Sequence, residues 1–207
     1  TMRQLEQLDD YPDKIIGCPG GGSNFAGLAF PFLGERLRGG PATEFIAVEP
    51  ASCPTLTKGR FAYDWGDTSH LTPLTKMHTL GSGFVPPGFH AGGLRYHGMA
   101  PQISHLTELG YIHPRAYGQL ECFDAGLTFA RAEGIIPAPE ANHAVKATID
   151  AALACRESGE SKALLFNLCG HGHFDMQAYT DYLAGNLKEE APSAAEQSMA
   201  LAGLPTI

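Results

Sequence analysis

The sequence predicts an α/β domain, an open twisted mostly parallel sheet flanked by helices. Two observations carry that prediction. Lys14–Cys18 is a short apolar run ending in glycines, followed by a helical stretch and a second apolar run at Glu44–Glu49. Strand, glycine turn, helix, strand is a βαβ unit, which is right-handed and belongs to a parallel sheet. Much later, Lys162–Leu168 (Lys-Ala-Leu-Leu-Phe-Asn-Leu) reads as the strongest strand and again runs into glycines and a helix.

The remaining elements follow in chain order. Thr1–Leu8 reads as the tail of a helix, and residues upstream of Thr1 are expected to be missing. After Gly20-Gly21-Gly22, residues Phe25, Leu28, Ala29, Phe32 and Leu33 fall on one helical face. Pro31 lies among them and is expected to kink or limit that helix. Residues 50–118 are rich in Gly, Pro, Thr and His without a sustained period, as in a functional segment or one packed on another part of the protein. Helices are expected at Glu121–Ala132 and Asn142–Cys155, with Gly134–Pro137 a short connection or strand between them. A last helix is expected from about Asp175 to Leu187. Residues 1–188 then form one domain, and the Ala-, Ser- and Pro-rich stretch 189–207 a flexible tail.

Composition narrows the function. The chain of 207 residues is long enough for a real core, and its 43% hydrophobic and 17% charged residues are those of an ordinary globular protein. A formal charge of −8 argues against a nucleic-acid partner, because phosphate neutralisation would require a basic chain. No apolar run approaches the ~18 residues of a membrane span, so no membrane association is expected. The five cysteines are widely spaced and odd in number. That pattern disfavours a disulfide framework and favours a reducing, cytoplasmic compartment. No Cys-x-x-Cys is present, and no metal site is expected.

Four segments could carry chemistry. Gly20, Gly21 and Gly22 with Ser23 and Asn24 stand between a strand and a helix N-terminus. There free amide N–H groups and the helix dipole suit a dianionic phosphate; a ligand-free turn is the alternative. A dinucleotide site would use Glu49 on a ribose, but the glycine spacing fails, because the sixth position from Gly20 is Phe25. A P-loop fails for want of Gly-Lys-Ser/Thr. The second segment, Ala91–Gly98, presents Arg95 among glycines and aromatics, either as an anion-binding arginine or as a solvated loop residue, with His90 and His97 near it. The third, Glu133–His143, contains Glu140 and Asn142, for which helix capping is the simpler role. In the fourth, Cys169 ends the strong strand, where ligands bind in open α/β sheets, and His171 and His173 follow it.

In this order, from about Thr1 to Leu187, the four segments together resemble the tryptophan synthase β-chain family. Gly93-Leu94-Arg95-Tyr96-His97-Gly98 is similar to its β-like second branch; the main branch has an aspartate where Arg95 stands. The resemblance implies the C-terminal domain of the type II pyridoxal-phosphate-dependent fold. It implies pyridoxal 5'-phosphate held at Gly20, Gly21, Gly22, Ser23 and Asn24, with Glu140 beside the ring and Cys169 facing the pyridine nitrogen. Arg95 would meet an anionic part of the substrate. The complete enzyme would replace the hydroxyl of serine, or of a serine derivative, by indole. A homodimer, an α-chain partner and a monovalent cation are further features of the family. Its cofactor-binding lysine and catalytic glutamate belong upstream of Thr1, and none of the six lysines here matches that lysine. The fragment alone is therefore expected to be inactive. The competing readings are a nucleotide-binding domain, a non-catalytic or regulatory domain, and a serine deaminase-like activity.

Overall fold

The apolar runs that define the βαβ unit do pair side by side. The computed structural model describes residues 1–206. α1 (Met2–Leu8) leads into β1 (Lys14–Gly17), and α2 (Ser23–Leu37) connects β1 to β2 (Glu44–Pro50). β1 and β2 are parallel, with Ile15 opposite Phe45 and Ile16 opposite Ile46. α2 does not stop at Pro31. A proline inside a helix costs about 3 kcal/mol. The helix buries Phe25, Ala29, Phe32 and Leu33 on both sides of it, each large side chain contributing roughly 1.5–3 kcal/mol.

Residues 50–118 hold more structure than their composition suggests. They contain the short α3 (Thr55–Lys58), an antiparallel hairpin of β3 (Arg60–Asp64) and β4 (Thr75–Thr79), a 3-10 turn at Gly92–Leu94, α4 (Pro101–Glu108) and β5 (Ile112–Tyr117). β5 reads Ile-His-Pro-Arg-Ala-Tyr, and its proline hides it from a pattern search. It lies at the sheet edge beside β2, where a proline is tolerated because one side of the strand makes no ladder bonds.

α5 (Gln119–Glu133) and α6 (Pro139–Ser158) then carry the chain to β6 (Leu164–Phe166) at the opposite edge. The sheet order is β5-β2-β1-β6, all parallel. Lys162–Leu168 thus yields only a three-residue, half-buried edge strand, shorter than its apolar sequence implies. Both sheet faces are covered. Ile16, Ile46 and Val48 pack with Ala144 and Ala147 of α6, while Ile15, Phe45, Ala47 and Ile112 pack with α2 and with Ile103 of α4. Alternate residues of each strand serve alternate faces, so strands buried on both sides read as unbroken apolar runs.

α7 (Met176–Leu183) packs Ala178 and Tyr179 on Phe123 of α5. Residues 189–206 differ from the flexible tail expected. The Glu189 carboxylate accepts the Gln119 and Leu120 N–H groups at 3.1 and 2.7 Å, capping α5. α8 (Ala194–Ala202) begins with a Ser193–Glu196 capping box and lays Ala200 on the core beside Leu80 and Phe84. Composition missed this because the anchoring contacts are few and come from residues far apart in sequence. None of the described helices is long and apolar enough to cross a membrane.

Candidate cofactor site

The glycine cluster forms a cup at the carboxyl end of β1. Gly20 and Gly22 have φ of 53° and 121°, conformations that L side chains rarely adopt. Space forbids a side chain as well. A Cβ on Gly20 would lie 2.6 Å from the Gly93 carbonyl oxygen, and one on Gly22 would lie 2.5 Å from the Ala100 Cβ. α2 starts at Ser23 without a side-chain cap. Among the described residues, the N–H groups of Gly20, Gly21, Ser23 and Asn24 donate to no other group. Free N–H groups at the positive end of a 15-residue helix suit an anion.

The other three segments close around the cup. The Ala100 N–H donates to the Gly21 carbonyl at 3.0 Å, and the Tyr96 ring would meet a Gly21 Cβ at 3.4 Å. Glu140 does not cap its own helix. Its Oε1 accepts the Gly93 N–H at 2.9 Å, while its backbone carbonyl accepts the Cys18 thiol at 3.1 Å. The Ala138 N–H donates to the Gly170 carbonyl at 2.9 Å, joining the third segment to the fourth. The cavity so enclosed has a volume of about 340 Å³. Gly20, Gly21, Ser23, Asn24, Glu140 and Cys169 line it together with Cys18, Gly93, Leu94 and Tyr96. No lysine is among the described residues that line it.

Cys169 stands at the cavity wall. Partial burial raises its thiol pKa and the Glu140 carboxylate adds to this, while hydrogen bonding from Asn24 opposes it. Burial pushes the Cys18 thiol well above the usual range. Both sulfurs therefore keep their protons at neutral pH, and neither is an activated nucleophile. All five cysteines are free.

Other sequence candidates lie elsewhere. Arg95 lines a neighbouring cleft of about 510 Å³ with His90, Gln119, Asp181 and Lys188. Its Nη2 donates to the Pro87 carbonyl at 2.8 Å, and its guanidinium lies 5.1 Å from the Phe89 ring centre. Asn142 is fully buried rather than capping, bonded to the Tyr179 hydroxyl at 3.0 Å. The rings of His171 and His173 are 5.0 Å apart. Glu49 is not a ribose ligand. It is buried, and it accepts the Leu56 and Thr57 N–H groups, both at 2.8 Å, and the Thr57 hydroxyl at 2.6 Å, capping α3. Sequence reasoning did not assign Cys18 or Tyr96 to the site. The position of Cys18 at a strand's carboxyl end was the available signal, and Tyr96 stood inside the Gly93–Gly98 segment without a role of its own.

The glycine cup with its free N–H groups stands at the carboxyl end of β1, beside the end of the edge strand β6 in a parallel sheet, which is where open α/β domains place their ligand crevice. The family model described as "Pyridoxal-phosphate dependent enzyme" matches residues 1–170, and the chain belongs to that family. Tryptophan synthase beta chain 2 of Aquifex aeolicus is 60% identical over 192 residues, 91% of this chain and 44% of the relative. The protein of that name from Methanosarcina mazei is 54% identical over 186 residues, 90% of this chain and 42% of its own length. Tryptophan synthase beta chain of Pyrococcus horikoshii is 52% identical over 200 residues, 97% and 43%. The chain thus spans less than half the length of these relatives. Among solved structures, a fungal L-serine ammonia-lyase from Rhizomucor miehei superposes with a TM-score of 0.63 at 16% identity, covering 90% of this chain and 54% of that one. A threonine deaminase superposes at 0.57 and 14%, covering 83% and 54%. Both show the shared fold.

Proposed function

We propose that this chain is the cofactor-cradling part of a tryptophan synthase β-chain, which replaces the serine hydroxyl by indole, and that it is inactive alone. The observation that carries this reading is the single cavity joining the Gly20–Asn24 cup, Glu140 and Cys169. The residues fit the cofactor, since the cup's free N–H groups match a phosphate dianion and its glycines leave the backbone bare. Pyridoxal phosphate, when bound, supplies an electron sink. The N–H groups of Gly20, Gly21, Ser23 and Asn24 would hold its phosphate, with the Ser23 hydroxyl as a further donor. The protonated Cys169 Sγ would offer the ring nitrogen a neutral partner, which would leave that nitrogen largely unprotonated and favour replacement at the β-carbon over full carbanion chemistry. Glu140 would stand beside the ring, held there by the Gly93 N–H. Arg95, in the adjoining cleft, would meet an anionic group of the substrate. A homodimer, an α-chain partner, a monovalent cation and a cytoplasmic setting accompany this reading.

Titration with pyridoxal phosphate, followed by its ³¹P resonance and by absorbance before and after borohydride, tests the proposal. The expected result is phosphate binding without reduction onto a specific lysine. Reduction onto one lysine would overturn the inactive-fragment reading, and no binding would overturn the cofactor reading. In a complete enzyme, Cys169→Asp should divert product toward transamination or racemisation. Arg95→Ala should raise KM for serine derivatives; an unchanged KM for all of them removes that role. A non-catalytic domain that keeps the cup is the second reading, favoured by the absence of lysine from the described cavity wall. A complete reading frame that restores turnover decides against it.

A further inference from the structure

One contact at the carboxyl ends of β1 and β6 ties the cup to the strand end that carries Cys169. Asn167 follows β6, and its backbone N–H continues the ladder to the Ile16 carbonyl at 3.1 Å. Its Nδ2 donates to Asn24 Oδ1 at 2.9 Å, and Asn24 Nδ2 donates to the Cys18 carbonyl at 3.2 Å. The direction of this relay is forced. The Cys18 carbonyl only accepts, so the Asn24 amide group faces it, and Asn24 Oδ1 is left to accept from Asn167. The Asn24 carboxamide shares the cavity wall with Cys169 and pulls the pKa of that thiol downward. The Asn167–Asn24 bond joins the start of α2 directly to the residue that follows β6.

The two ends of the cofactor would be held by different elements, the phosphate by the start of α2 and the ring by the end of β6. β6 is a three-residue strand paired on one side only, so its own ladder holds its end weakly. We propose that Asn167 is the positioning residue of this site: by donating to Asn24 it locks the last residue of the cup to the end of β6, and so sets the distance between the cup and Cys169. This rests on the cofactor reading above. It also explains why a cup residue spends its side chain on protein groups: Asn24 offers its backbone N–H to the phosphate and its carboxamide to the strand ends.

The test uses the 207-residue chain and two variants, Asn167→Leu, which keeps the volume without a donor, and Asn167→Asp, which keeps the shape but only accepts. The first readout is the pH midpoint for alkylation of Cys169 by iodoacetamide, resolved by peptide mass and measured without cofactor. Glu140 and Cys18, the titratable groups beside Cys169, are unchanged in both variants. Freed from Asn167, Asn24 should turn away from the thiol and the midpoint should rise. In Asn167→Leu that rise reports Asn24 without any added charge. The second readout is affinity for pyridoxal phosphate by equilibrium dialysis, expected to fall about tenfold on loss of one hydrogen bond. An unchanged midpoint in both variants overturns the proposal, as does an unchanged affinity where the midpoint has moved. A wild-type chain that does not take up pyridoxal phosphate overturns the cofactor reading instead, and the midpoint then decides alone whether Asn167 positions Cys169.

Discussion

Burial raises the Glu49 carboxyl from the ordinary glutamate value of 4.5 to about 7, against the opposing pull of the Thr57 and Leu56 donors. An acid whose pKa is higher folded than unfolded binds more protons in the folded state between the two values. Its contribution to stability is therefore complete below 4.5 and lost as pH rises to about 7. The loss is on the order of 3 kcal/mol for a shift of this size. The melting temperature should fall across that window, and Glu49→Gln should flatten the slope. A slope that persists in the variant would assign the effect to another group. The same residue illustrates what a sequence conceals. An acidic residue ending the second strand looked like a ribose ligand, and only the placement of α3 against it shows that its oxygens are already occupied. Cys169 was legible from its place at a strand end. The relay through Asn24 and Asn167 was not, because it joins residues far apart in sequence.

Between elements, the contact of α5 with α6 is set by Gly126. A helical glycine replaced by alanine ordinarily gains about 1 kcal/mol. Here a Cβ would fall on the buried Asn142 carboxamide, which is bonded to the Tyr179 hydroxyl and through it to α7. Stranding that buried pair costs about 1–3 kcal/mol, so Gly126→Ala should destabilise the chain, as urea unfolding would measure. A stabilised variant would mean that α6 shifts freely. Long helices with a clear apolar face were readable along the chain, as α2, α5 and α6 were. β5 was not, because its proline breaks the pattern that an edge position permits. β6 was overestimated, because an apolar run does not reveal how many partners its strand will have.

Across the whole molecule, the last residues belong to the folded unit. Truncation after Lys188 removes the Glu189 cap on α5 and the Ala200 contact with the core. It should cost about 1–2 kcal/mol, most of it from the cap. An unchanged urea midpoint would return that segment to the status of a tail.

The glycine run, the helix after it and the alternation of strands with helices are local patterns, because turn chemistry and side-chain period depend on neighbours in sequence. By itself the sequence therefore determined the α/β class, the glycine turn that opens α2 and the kinship to pyridoxal-phosphate enzymes. Strand order is a long-range matter. Placing β6 beside β1 brings Cys169 to the cup, and packing Gly93 against Gly20 brings Glu140 to the cavity wall. Only the tertiary structure decided that Arg95 turns into a separate cleft, that Glu49 and Asn142 are structural, and that Asn167 ties the cup to the opposite wall. Each of these depends on which distant backbone happens to stand within hydrogen-bonding reach.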